Sequence, residues 1–338
     1  MSEQIIVVDE GSAQGIGAYY CETEKKIKFC MVPAMIGLTV DTDPVGNPLD
    51  NSYEVDGDEF CVSTNLTSPV TTKRASYQTS VENRVLIHEV LRKAGFGGQE
   101  ITVMCTLPIT QYFMGDSYRV NKELVLAKKR NIMGDITSIN DVPLARIKNS
   151  IIAPESISGF LDHVIDETGE WLIQMDEGQT ALVIDIGGTT TDMSVVDSIG
   201  SPQARHSEPK GVFDIADSLR TEMIAEGLAK SLPRAHLDAV LRSGTYRGRS
   251  CRDLIKKASH TVMREILSRM QTFGDDENAF EYVIFVGGGA AIIGEELGKR
   301  YGNPNYIIPK DPDLAVARGL VKMQLANRLA AEEEAMDE

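Results

Sequence analysis

The stretch Ala181-Leu-Val-Ile-Asp-Ile-Gly-Gly-Thr-Thr-Thr-Asp192 constrains this chain more than any other part of it. Four apolar residues run into Asp185, and two glycines, three threonines and a second acid follow. The pattern predicts a buried strand ending at Asp185, a turn at Gly187-Gly188 and a return strand over Met193–Val196. Glycines without a Cβ let backbone N–H groups approach an anion closely, and threonine hydroxyls add donors. An acid at the strand end is placed to hold a hydrated metal ion or to orient a water. Together these residues describe a hairpin that grips a phosphate.

The same grammar occurs at Ile5-Ile-Val-Val-Asp9, followed by Glu10-Gly-Ser-Ala-Gln-Gly-Ile-Gly17. Two copies about half a chain apart predict two lobes on a common plan, their loops enclosing a polyphosphate from both sides. A third strand-to-glycine junction, Glu281-Tyr-Val-Ile-Phe-Val-Gly-Gly-Gly-Ala290, opens a helix near Ala291. Three glycines there let a flat ring or a phosphate lie against the backbone.

The remaining elements follow from local signals. Residues 27–32 read as a third strand of an N-terminal meander, and Ser52–Val62 as a hairpin turning at Asp56-Gly57. Apolar residues at helical spacing predict a helix over 81–94, stopped by Gly95. Further strands are expected over 100–108, 145–153 and 305–309. Helices are expected over 121–130, from Glu155, over 214–227, within 249–272 and over 312–329, and the acidic tail 330–338 reads as frayed.

Fifty acids against 34 bases give a net charge of −16. That argues against direct nucleic-acid binding over a broad surface, so any dealing with DNA would run through a basic partner. The five scattered cysteines show no zinc spacing and suit reduced, buried thiols. No signal-peptide pattern and no apolar window of roughly 20 residues occurs, so the expectation is a soluble, cytoplasmic protein with no membrane partner.

Three glycine-rich junctions in this order, with Pro154-Glu155-Ser-Ile-Ser-Gly-Phe between the first two, resemble the actin superfamily. The closest resemblance is to the ParM (StbA) group of plasmid-segregation actins. It is carried by Cys105-Thr-Leu-Pro-Ile-Thr-Gln-Tyr, Ala153-Pro-Glu-Ser-Ile, Ile184–Asp192 and the Val55–Phe60 hairpin. The resemblance implies an α/β, two-lobed actin-like (ribonuclease H-like) ATPase fold with the nucleotide cleft between lobes. Domain I would comprise 1–175 plus 309–338, and domain II 176–308.

It further implies ATP, with GTP as the alternative, and Mg²⁺. Asp9 and Asp185 would hold the hydrated metal. Gly11, Ser12, Gln14, Gly187, Gly188, Thr189 and Thr190 would bind phosphates, and Gly287, Gly288 and Gly289 would receive the adenosine. Glu155 matches the position that orients the attacking water, assisted by Asp185, and Asp214 is a candidate for the ribose. Catalysis would then rest on positioning and charge neutralisation. The implied partners are other copies of the chain in a head-to-tail filament and a ParR-like DNA-binding adaptor on a centromere-like site. One departure stands out: the first loop lacks the lysine that many superfamily members carry, and Gln14 donates a hydrogen bond but no charge. The alternative function is a small-molecule kinase or hydantoinase-like ATP-dependent enzyme on the same cleft.

Overall fold

The structure, a computed structural model, describes residues 4–66, 68–74, 76–115, 117–274 and 278–337. Its first half begins with the antiparallel meander β1 (Ile5–Glu10), β2 (Gln14–Cys21) and β3 (Lys26–Pro33). A small sheet follows from β4 (Ile36–Gly37), β5 (Ser52–Val55) and β6 (Asp58–Val62). The β5–β6 hairpin turns at Asp56 and Gly57, both with positive φ, as its two-residue loop requires. Helix α1 (Val81–Lys93) starts at Ser80, whose hydroxyl accepts from the Asn83 N–H. Strand β7 (Glu100–Leu107), helices α2 (Ile109–Tyr112) and α3 (Lys122–Ile132), and strands β8 (Thr137–Ser138) and β9 (Arg146–Pro154) complete this half. The large sheet has the order β3-β2-β1-β7-β9, with β1, β7 and β9 parallel.

After α4 (Glu155–Val164), the second half repeats the plan. Strands β10 (Thr180–Ile186), β11 (Thr191–Asp197) and β12 (Pro202–Glu208) form the meander. Helices α5 (Val212–Ala225) and α6 (Arg234–Ser243), the short pair β13 (Thr245–Tyr246) and β14 (Arg249–Ser250), and α7 (Arg252–Met270) come next. Strand β15 (Tyr282–Val286), a π-helical turn at Ala290–Gly294, α8 (Glu295–Tyr301), β16 (Tyr306–Ile307) and α9 (Ala315–Asp337) close the chain. The second sheet, β12-β11-β10-β15-β16, has the same order and the same parallel pairs as the first. The twofold repeat expected from the two acid-glycine strings is therefore the repeat of the whole sheet.

Alternation along each strand sends side chains to two faces. In the first sheet Ile6 and Val8 face α1 and the small sheet, whereas Val7, Ile16 and Met104 face Leu320 and Val321 of α9. In the second, Leu182, Ile184 and Ile186 face α5, α6 and α7, whereas Ala181, Val183 and Val286 face Phe160, Leu161 and Val164 of α4. Each lobe thus receives one covering helix from the chain's other half. The sequence reading carried the first lobe through residue 175. Within 155–175, Phe160, Leu161, Val164, Ile165 and Met175 are buried against the second sheet, whereas Trp171 and Leu172 are exposed.

The two crossing helices meet where Gly319 lies against the Ser158 carbonyl, an approach that any Cβ would block. Buried Asp162 on α4 locks the crossing. Arg318 of α9 donates to its two carboxylate oxygens at 2.7 and 2.6 Å, and Lys322 donates to its backbone carbonyl at 2.6 Å. The tail expected to fray continues α9 to Asp337, since alanine and glutamate are strong helix formers. All five cysteines are free, three of them buried. No helix among the described residues is long and apolar enough to cross a membrane.

Candidate active site

A cleft of about 620 Å³ opens between the lobes at the ends of β1 and β10. Asp9 lies at the end of β1, opposite Ile16, and Asp185 lies at the end of β10, opposite Asp192 of β11. Glu155, the first residue of α4, joins them because β9 ends at Pro154 and the helix starts at the cleft floor. The hydroxyl of Thr106, at the end of β7, is shared between Asp9 Oδ1 at 3.0 Å and Glu155 Oε1 at 3.3 Å.

Four carboxyl groups thus share one poorly solvated floor. Burial and then the neighbouring Glu10 charge push Asp9 up to about 7. Burial raises Glu155 well above the usual carboxylate range, with Asp9, Asp192 and Asp185 adding to it. Asp185 is raised the same way, and burial lifts Asp192 to about 6 against hydrogen bonds from Ser207 and Thr190. Like charges this close, poorly solvated, oppose one another's ionisation. Behind the floor, fully buried Lys128 of α3 pairs with fully buried Glu10 and donates to Gln78.

The two glycine loops meet above the carboxylates. Ser12 Oγ lies 3.1 Å from Thr189 Oγ1, a contact between residues 177 apart in sequence. A Cβ on Gly188 would sit 2.9 Å from both Ala13 Cβ and Ser12 Oγ, so only glycine lets the loops close up. The carbonyls of Gly187 and Gly188 accept from the N–H groups of Val212 and Phe213, which ties this loop to the start of α5. At the third junction, a Cβ on Gly287 (φ +81°) would collide with Asp185 Oδ1.

Most of the expected residues converge here: Asp9, Gly11, Ser12, Gln14, Glu155, Asp185, Gly187, Gly188, Thr189, Thr190, Gly287 and Gly288 all line the cleft. Gly289 does not; its Cα packs on Ile186 and its N–H donates to the Ile186 carbonyl. The Thr190 hydroxyl is engaged by Asp192 Oδ2 at 3.1 Å, and Gln14 Oε1 accepts from Arg242 at 3.3 Å. Asp214 caps α5 by accepting from the Gly211 N–H at 3.0 Å. Sequence reasoning did not single out Thr106, Lys128, Arg242 or the cleft-lining Thr72 and Lys73. Asp192 was visible in the central string without a role. A second cavity of about 330 Å³ adjoins the cleft through Leu241, Arg242, Ala291 and Ile292, and is walled by Ile255, Lys256, Ser259 and Met263 of α7.

A family model of the N-terminal part of the plasmid segregation protein ParM matches residues 5–164, and one of the C-terminal part of the MreB-like archaeal actin homologue matches residues 183–299. Together the two matches mark an actin-like, ParM-type fold. Among solved structures, this actin-like chain superposes on the archaeal actin homologue Ta0583 in complex with ADP with a TM-score of 0.73 at 17% identity, covering 96% of this chain and 99% of that one. It matches a ParM from a 15-stranded Clostridium botulinum filament with a TM-score of 0.66 at 17% identity, covering 97% and 100%. Bacillus thuringiensis ParM with ATP gives 0.66 at 13%, again covering 97% and 100%. No curated protein matches the sequence. At such identities the superpositions establish the actin-like, ParM-type fold.

Proposed function

We propose that this chain is an ATPase whose subunits assemble head to tail into filaments, with plasmid DNA as cargo. The observation that carries the reading is the meeting of two phosphate-type loops over four carboxyl groups in one interlobe cleft. ADP and ATP complexes among the structural relatives support nucleotide at this place. The filament structure among them supports self-assembly.

Polyphosphate would lie between Gly11–Ala13 and Gly187–Thr190, and the base would turn into the adjoining α7 cavity, whose Ile255 and Met263 offer an apolar wall. The acid-rich floor fits a hydrated Mg²⁺ better than a directly ligated ion, because among the described residues no three of its carboxyl groups come close enough together to ligate one metal. Asp9 and Asp185 would hold its waters, and the ion would neutralise phosphate charge. Glu155, held through Thr106 beside Asp9, would orient a water toward the terminal phosphate. With little covalent work for the protein to do, positioning and charge stabilisation carry the rate. The net charge of −16 suits a basic DNA-binding adaptor of the ParR kind.

Phosphate release tests the nucleotide reading. Wild type should hydrolyse ATP in a Mg²⁺-dependent way and Asp185→Ala should not; normal turnover in that variant would remove Asp185 from the reaction. Parallel assays with GTP measure nucleotide preference.

A further inference from the structure

The first phosphate loop of this chain carries no cation, yet four cationic side chains line the cleft: Lys73, Arg74, Arg234 and Arg242. Three already have side-chain partners, two of them within hydrogen-bond distance of a carboxylate and one of Gln14. Arg74 donates to Glu82 at 2.5 Å. Arg234 lies over the Phe213 ring at 3.5 Å and donates to Asp238 at 2.8 Å. Arg242 bridges Gln14 at 3.3 Å and Asp313 at 3.7 Å. Lys73 has the loosest tie, a half-exposed contact of 3.7 Å with Asp214 Oδ1.

The backbone beside Lys73 is not loose. The hydroxyl of Thr72 donates at 2.8 Å to the carbonyl of Ser12, the central residue of the first loop. Lys73 therefore starts from a segment stitched onto one phosphate loop, and its amine reaches Asp214, which caps the helix holding the other. The amine spans the seam between the loops. Lys210 Nζ lies 3.9 Å from the same Asp214 oxygen, so Asp214 keeps a partner when Lys73 turns inward.

We propose that Lys73 supplies the phosphate-facing positive charge that the first loop lacks, reaching the polyphosphate from the Thr72-anchored segment. The inference rests on the nucleotide-binding reading above. An ammonium on a flexible stem suits this task, since it can leave a weak surface pair for a phosphate oxygen.

Isothermal titration calorimetry on the full chain with Mg-ATP and Mg-ADP tests it. Lys73→Met should weaken Mg-ATP binding about 10- to 100-fold, as expected for loss of a charge-assisted hydrogen bond, and Lys73→Arg should recover most of the loss. Wild-type affinity in Lys73→Met overturns the proposal. A loss confined to Arg242→Met moves the charge to Arg242 and overturns it too. Failure of the wild type to bind Mg-ATP would instead refute the nucleotide reading itself. Thermal unfolding of each variant without nucleotide checks that the fold is intact.

Discussion

Replacing Asp9 by asparagine should make the nucleotide-free protein more stable while removing its function. Asp9 is pushed up to about 7 from an ordinary 3.8, first by burial and then by the Glu10 charge. An acid raised in the folded state contributes stability at low pH that is lost as pH rises toward its folded value. At roughly 1.4 kcal/mol per pH unit, a gap of about three units makes ionised Asp9 cost roughly 4 kcal/mol at pH 8. Asparagine keeps an oxygen for the Thr106 hydroxyl and carries no charge. Urea unfolding without Mg²⁺ or nucleotide should show Asp9→Asn more stable than wild type by about 2 to 4 kcal/mol at pH 8, the gap shrinking below about 2 kcal/mol at pH 5. Added Mg²⁺ should stabilise the wild type and leave the variant unmoved. A variant less stable than wild type at pH 8, or a gap that ignores pH, refutes the idea that the floor stores charge repulsion for a cation.

Glu155→Gln should slow hydrolysis and lengthen filament lifetime without preventing assembly; lifetimes equal to wild type, measured by light scattering, would make Glu155 structural. Asp162→Ala removes the buried carboxylate that Arg318 and Lys322 share, leaving them only backbone carbonyls, and should cost about 3 kcal/mol in urea unfolding. A loss under about 1 kcal/mol would show that apolar packing alone holds α4 on α9.

Local strings carried most of the site. Asp185 and Asp192 lie seven residues apart on paired strands, so one hairpin signal located both, and the copy at Asp9 located the facing loop. The Asp56-Gly57 hairpin was legible because a two-residue turn demands those residue types. Strand β12 left no such trace: Gln203, Arg205, His206 and Ser207 lack apolar alternation, and the strand exists through its pairing with β11. The Lys128–Glu10 pair and the Thr72–Ser12 bond join distant segments, and no periodicity encodes which buried polar groups will meet. The sheet against which α4 packs was hidden for the same reason. Its apolar stripe shows that one face is buried, but only the crossing with α9 decides against which sheet.

Light scattering after addition of Mg-ATP, with negative-stain microscopy of the same sample, tests the central claim most directly. The account predicts a rise in scattering from filaments, decaying as ATP is consumed and renewed by fresh ATP. A flat trace with steady ATP loss would contradict it and turn the same cleft into that of a small-molecule enzyme.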